Sequence, residues 1–121
     1  MVKRTGPTNP RVRKLVELLK AKWLEMKAPI WRDIMERIQK PTRKRIEVNL
    51  GKINKYAKEG ETIVVPGVVL GGGKLEKRVT IAALRFSSKA KEKAEKVGCK
   101  CISIEELIEL NKRGSNIRIM G

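Results

Sequence analysis

Histidine is absent from the 121 residues, so the side chain best suited to proton transfer near neutral pH is missing. Acidic residues are scarce, 13 Asp and Glu against 29 Lys and Arg. General acid–base catalysis therefore has poor candidates. Aromatics make up 3% of the chain. A single-strand reader of the RRM type stacks bases on strand aromatics, and no segment here supplies them. Only two cysteines occur, Cys99 and Cys101, one residue apart. Zinc wants four ligands, usually two pairs at wider spacing. A disulfide across one residue would be badly strained. The pair reads as inert thiols that strand alternation would point to one face. No apolar run of about 18 residues exists, so nothing reads as a bilayer span. The N-terminus carries no apolar leader core, and an intracellular protein is expected.

What is abundant is positive charge, a net of +16. Such an excess repels itself unless an anionic partner neutralises it. Nucleic acid is the usual partner, because Lys and Arg release the counterions condensed on its phosphates. The charge is uneven. Residues 1–60 carry 17 basic and 6 acidic side chains, and residues 61–121 carry 12 and 7. The contact should be weighted toward the first half.

The reading divides the chain into a basic flexible arm (1–9), a helical N-terminal part (10–60) and an α/β core (61–121). The last two are expected to be continuous. Asn9 and Pro10 open a first helix, with Val12, Leu15, Val16, Leu19, Trp23 and Met26 on one apolar stripe. A second helix follows Pro29, with Trp31, Ile34, Met35 and Ile38 inward, and Pro41 stops it. After Asn49 comes a short third helix on Leu50, Ile53 and Tyr56 or Ala57, ended by Gly60. Then the character changes. "TIVVPGVVL" reads as two short extended pieces broken at Pro66–Gly67. A strand runs from about Val79 to Leu84. A helix follows, capped by Ser87 or Ser88 and closed by Gly98, with Ala90, Ala94 and Val97 as its apolar edge. "CIS" is a strand. Ser103 and Glu106 form a capping box on the next helix, and "NIRIM" is the last strand. The fold class is α/β: helices first, then alternating short strands and helices.

"LGGGK", Leu70 to Lys74, raises the one question of chemistry. A Walker-type loop ends G-K followed by Ser or Thr, with a glycine five positions before the last. Here position 68 is Val68 and position 75 is Leu75, so the hydroxyl that would hold Mg²⁺ is missing. The dinucleotide pattern fails at Glu76. No helix follows in sequence, so no helix dipole is expected to face a phosphate. The stretch reads as a flexible turn that reverses the chain between two extended pieces.

The segment "VVLGGGKLEKRVTIAALRFSSKAKEKAEKVGC", Val68 to Cys99, resembles the hallmark of a large-subunit ribosomal protein superfamily. The bacterial "fifteen" and the archaeal and eukaryotic "eighteen-e" families share it. "RKRIEVNLGKI", "ETIVVPGVVLG" and "GSNIRIM" resemble the eighteen-e signature, and the likeness covers essentially the whole chain. One departure is Cys99, where the superfamily often has a second glycine. The resemblance implies a non-enzymatic protein of the cytoplasmic ribosome. Its partners would be large-subunit ribosomal RNA and neighbouring ribosomal proteins. No cofactor, metal, small-molecule substrate or membrane contact is expected, and the free chain is expected to be a monomer. Without the resemblance, composition leaves a DNA-binding architectural protein as the alternative; that class uses groove wedges or a dimerising surface.

For RNA contact, Arg43, Lys44 and Arg45 form the densest cationic cluster, and Arg grips phosphate bidentately. Lys3 and Arg4 on the arm come next, with Arg11, Arg13 and Lys14 on the first helix. Lys74, Lys77 and Arg78 flank the glycines, where bare backbone lets a phosphate come close. Lys52 on the third helix completes the set. Asp33 and Glu36 read as salt-bridge partners of Arg32 and Arg37. Glu105, Glu106 and Glu109 read as a solvated face turned away from RNA. Trp23, Trp31 and Phe86 read as packing residues. Binding by phosphate and shape, with little base reading, is the expectation.

Overall fold

The apolar stripes of the first forty residues form two helices, α1 (Pro10–Met26) and α2 (Pro29–Gln39), in the computed structural model. It describes residues 10–39, 46–111 and 116–120. Asn9 and Pro41 lie outside these. Lys27 takes a left-handed conformation (φ 55°) between the helices, and its N–H reaches the Trp23 carbonyl. Leu15, Leu19, Trp31 and Ile34 are buried. Asp33 pairs with Arg37 at 2.9 Å and Glu36 with Arg32 at 3.2 Å, as i,i+4 spacing dictates.

The remaining elements are β1 (Glu47–Asn49), α3 (Leu50–Tyr56), β2 (Thr62–Leu70), β3 (Thr80–Phe86), α4 (Ser88–Val97), β4 (Lys100–Ser103), α5 (Ile104–Leu110) and β5 (Ile117–Ile119). The five strands form one sheet, and every pairing is parallel. Parallel strands are buried on both faces and read as continuous apolar runs. "TIVVPGVVL" is such a run. Ile63 and Val65, with Ile81 and Ala83 of β3, face a core closed by α3 and α4. Val64 and Ala82 face a second core, closed by α1, α2 and α5. The result is three layers, helix on sheet on helix.

Two expectations about the strands are overturned. First, β2 is continuous through Pro66–Gly67. One edge of β2 changes partner there: β5 pairs with Thr62–Val64, and β1 pairs with Val68–Leu70. The register against β3 slips between Val65 and Val68. Pro66, which has no N–H to offer, sits in the gap where neither edge partner reaches. A Cβ at Gly67 would overlap the Ile46 carbonyl, so glycine lets the chain pass. Second, the glycines do not reverse the chain, because β2 and β3 run the same way. Residues 71–79 instead return along the outside of α3. Asn54 Oδ1 accepts the Glu76 and Lys77 N–H groups at 3.0 and 3.3 Å, and Gly60 N–H donates to the Arg78 carbonyl at 2.7 Å.

The caps fall where expected. Ser87 Oγ accepts the Ala90 N–H, Gly98 closes α4 in the left-handed region (φ 97°), and Ser103 with Glu106 makes a complete capping box. The cap that ends α3 is Ala57 rather than Gly60, and Tyr56 is exposed while Ala57 is buried. Cys99 and Cys101 are both free, and both pack against the α3–α4 core. Burial pushes the Cys101 thiol up to about 11, with the neighbouring Cys99 adding to it.

β5 is fastened by charge as well as by pairing. Arg118 Nε donates to Glu61 Oε1 at 3.0 Å, and the same oxygen accepts the Lys58 N–H at 3.0 Å. The Lys58 backbone N–H, and then Arg118, hold the Glu61 carboxyl below its ordinary 4.5. The depressed value means the contribution is complete above the unfolded value and fades as pH falls through it. The melting-temperature advantage of wild type over Glu61→Gln should therefore be a few degrees and flat from neutral pH to about pH 5.5, then shrink below about pH 4.5. Scanning calorimetry across that range checks it, and an advantage that grows on acidification refutes the assignment.

Candidate nucleic-acid interface

A parallel sheet gathers the carboxyl ends of its strands at one edge, and loops there face whatever binds. At this edge β1 ends at Asn49, β2 at Leu70 and β3 at Phe86. The triple glycine follows β2 and lies between the first residues of α3 and α4. Although no helix follows the loop in sequence, the fold brings two helix starts against it, so the expectation of no helix dipole there is overturned.

Contacts around the loop are too close for side chains. A Cβ on Gly73 would sit 2.7 Å from the Gly51 Cα, and Gly73 also has φ 81°. A Cβ on Gly71 would sit 2.9 Å from Lys89 Cγ. The loop's carbonyls are taken. Gly51 N–H donates to the Gly72 carbonyl at 2.9 Å, and Lys93 Nζ donates to the Gly71 and Gly73 carbonyls at 2.7 and 3.2 Å. Gly72 N–H donates to Asn49 Oδ1 at 3.1 Å. This is a packed loop fastened by its own protein, unlike a cradle of N–H groups left open for a triphosphate.

Three exposed lysines surround it. Lys52 follows Gly51, Lys74 follows Gly73, and Lys89 flanks Gly71; none has an ion-pair or hydrogen-bond partner among the described residues. Gly72 and Gly73 are themselves exposed. No carboxylate lies among these groups to neutralise them. The nearest acids along α4 face elsewhere, Glu92 toward Lys96 at 3.7 Å.

The other sequence candidates fall into three groups. Lys3, Arg4, Arg43, Lys44 and Arg45 lie outside the described residues. Arg13 and Lys14 are exposed on α1 and have no partner among the described residues. Arg11, Lys77 and Arg78 are engaged within the protein. Arg11 holds Glu105 through two nitrogens at 3.2 Å each and donates to the Leu84 carbonyl at 2.7 Å. That tie joins α1 to α5 and to the end of β3, and it removes Glu105 from the solvated face expected for it. Lys77 Nζ donates to the Ala57 carbonyl at 2.8 Å, closing α3. Lys77 therefore does not stand beside Lys74. Arg78 is exposed, but its N–H is held by Glu59 at 2.9 Å. It lies beside the start of β3, at the opposite edge of the sheet from the glycines.

Sequence reasoning missed Asn49, Lys89 and Lys93 as parts of this arrangement. Asn49 marks the helix start in sequence, and nothing local shows that its amide reaches Gly72. Lys89 and Lys93 share one face of α4 by i,i+4 spacing, beside the buried Ala90 and Ala94. That adjacency is the signal available. Trp31 is fully buried, Trp23 half-buried under the Arg32 guanidinium, and Phe86 packs on the α3–α4 core. None is free to stack on bases. Among the described residues no group of three or more His, Cys, Asp or Glu could hold a metal, and no helix is long and apolar enough to cross a membrane.

The family model described as "Ribosomal protein 60S L18 and 50S L18e" matches residues 2–121. Among curated proteins, three archaeal sequences named large ribosomal subunit protein eL18 are similar throughout. The Methanococcus maripaludis protein is 46% identical over 119 residues, covering 98% of this chain and 99% of the relative. The Methanopyrus kandleri protein is 47% identical over 121 residues, covering 96% and 95%. The Methanoregula boonei protein is 48% identical over 120 residues, covering 99% of each.

Proposed function

The chain belongs to the ribosomal protein family 60S L18 and 50S L18e, and on that premise we propose that it is built into the large ribosomal subunit as a structural constituent that binds ribosomal RNA. It is a structural protein, not an enzyme. Its partners are large-subunit rRNA and neighbouring ribosomal proteins. The observation that carries the binding mode is the ring of Lys52, Lys74 and Lys89 around a bare, exposed stretch of glycine backbone. Long flexible cations on a rigid base reach phosphates along a bent RNA backbone, and a surface without side chains lets that backbone approach. Arg13 and Lys14 on α1 extend the contact, joined by Lys3, Arg4, Arg43, Lys44 and Arg45. Arg11 and Lys77 support the fold that presents these groups. The shared core of α1, α2, α5 and the sheet supports reading 10–60 and 61–121 as one folding unit. With no polyanion present the charge of +16 repels a second copy, which supports a monomeric free chain.

The test is a titration of deproteinised large-subunit rRNA with the purified chain over a KCl series. Tight binding with a steep log–log salt slope, together with co-migration with large subunits on a Mg²⁺ gradient and release in high salt, is the expected result. Binding that ignores ionic strength, or recovery in the nucleoid fraction regardless of ribonuclease, overturns it.

A further inference from the structure

We propose that Asn49 and Lys93 are positioning residues for the RNA interface, holding the triple-glycine loop in one shape before RNA arrives. The inference rests on the reading that this loop faces RNA. Three consecutive glycines lose more backbone entropy on ordering than any other triplet. If that ordering occurred on binding, it would subtract from affinity. Substitution cannot stiffen the loop from within. A Cβ at Gly72 would lie 2.6 Å from Asn49 Oδ1, and one at Gly73 would lie 2.7 Å from the Gly51 Cα. Stiffness has to come from outside, and the structure supplies it. Of the six backbone polar groups of Gly71–Gly73, four are held: the Gly72 N–H by Asn49, the Gly71 and Gly73 carbonyls by Lys93, and the Gly72 carbonyl by the Gly51 N–H. Lys93 differs from its helix neighbours in this. Lys89, Lys91 and Lys96 are exposed, whereas Lys93 is half-buried with its ammonium directed onto the loop.

The positioning role predicts losses of affinity that charge alone does not explain. Asn49→Ala removes no charge and no phosphate contact. Lys93→Met removes one charge, as does Lys96→Met on the same helix. Each variant, as full chain, is titrated with deproteinised large-subunit rRNA over a KCl series, and exchange of the Gly72 amide is followed by NMR. Asn49→Ala should expose the Gly72 amide to fast exchange and weaken binding about tenfold with the salt slope unchanged, the scale of one hydrogen bond that pre-orders the loop. Lys93→Met should also lose about tenfold, against about threefold or less for Lys96→Met. Wild-type affinity in an Asn49→Ala chain whose Gly72 amide exchanges freely overturns the proposal. Should that variant not fold, equal losses for Lys93→Met and Lys96→Met overturn it instead. Failure of the underlying interface looks different: reversing Lys52, Lys74 and Lys89 would then leave rRNA affinity untouched.

Discussion

Replacing Trp31 by alanine will lower the unfolding free energy by about 3–5 kcal/mol, the usual cost of removing a fully buried large aromatic side chain. Trp31 is wholly inaccessible on α2 and packs in the core shared by Leu15 and Leu19 of α1, Ile104 and Leu107 of α5, and Val64 and Ala82 of the sheet. An indole buries roughly 150–250 Å², worth about 4–6 kcal/mol of apolar transfer at 25 cal/mol per Å². The neighbours belong to three helices and two strands, so they cannot all collapse into the cavity. For a domain whose total stability is about 5–15 kcal/mol, this is a large fraction. The melting temperature should fall by roughly 10–25 °C. The transition should also stay single. If α1 and α2 formed a module separable from the sheet, two transitions would appear and the sheet would melt at the wild-type temperature. Leu24→Ala on the same helical pair serves as the control, because Leu24 is 58% exposed and should cost under about 0.5 kcal/mol. Urea denaturation of both variants decides it, and a loss below about 1 kcal/mol for Trp31→Ala would contradict the packing described.

Why some of this fold is readable from the chain, and some is not, follows from the range of each interaction. Caps and helix stripes are local. Ser87, Gly98 and the Ser103–Glu106 box act within four residues, and the stripes of α1 and α2 repeat at helical spacing, so both show in the letters. The β1 strand is three residues long, "EVN", too short for any period to emerge, and it exists because β2 offers it an edge. Pro66–Gly67 is a strong break signal by local chemistry. Only the change of edge partner, from β5 to β1, explains why the strand survives it. The glycines follow the same rule: their crowding against Gly51 and Lys89 comes from residues about twenty positions away in either direction.

The cations show the limit most plainly. Arg11, Lys77 and Lys93 carry the same letters as Arg13, Lys74 and Lys89, yet three are engaged with protein oxygens and three are open to solvent. Composition counts them alike. Arg11 and Lys77 entered the candidate set because they flank basic or glycine-rich stretches, while Lys89 was one lysine among many on α4. Their division depends on where Leu84, Ala57 and Gly71 present carbonyls, which is a property of the folded chain.

That division makes the second large prediction specific to place. Reversing the charge at Lys52, Lys74 and Lys89 together should cut affinity for deproteinised large-subunit rRNA about 10²–10³-fold at 0.1 M salt. The estimate assigns about 1–1.4 kcal/mol to each lost charge-assisted contact, the lower range for exposed groups. The salt slope should shrink by about three, one for each phosphate contact removed. None of the three side chains is buried or paired among the described residues, so circular dichroism and melting should stay near wild type. The control carries the same change in net charge elsewhere: Lys20→Glu on α1, Lys58→Glu after α3 and Lys100→Glu at the start of β4. These positions are exposed and lie away from the glycine loop, two of them near the opposite edge of the sheet. Long-range attraction weakens equally in both triples, because it follows net charge. Contact at the loop weakens only in the first. A loss at least tenfold greater for the loop triple than for the control locates the interface at the carboxyl edge of the sheet. Equal losses would leave the charge acting as a diffuse field, and the arrangement of lysines around the glycines would have no part in gripping RNA.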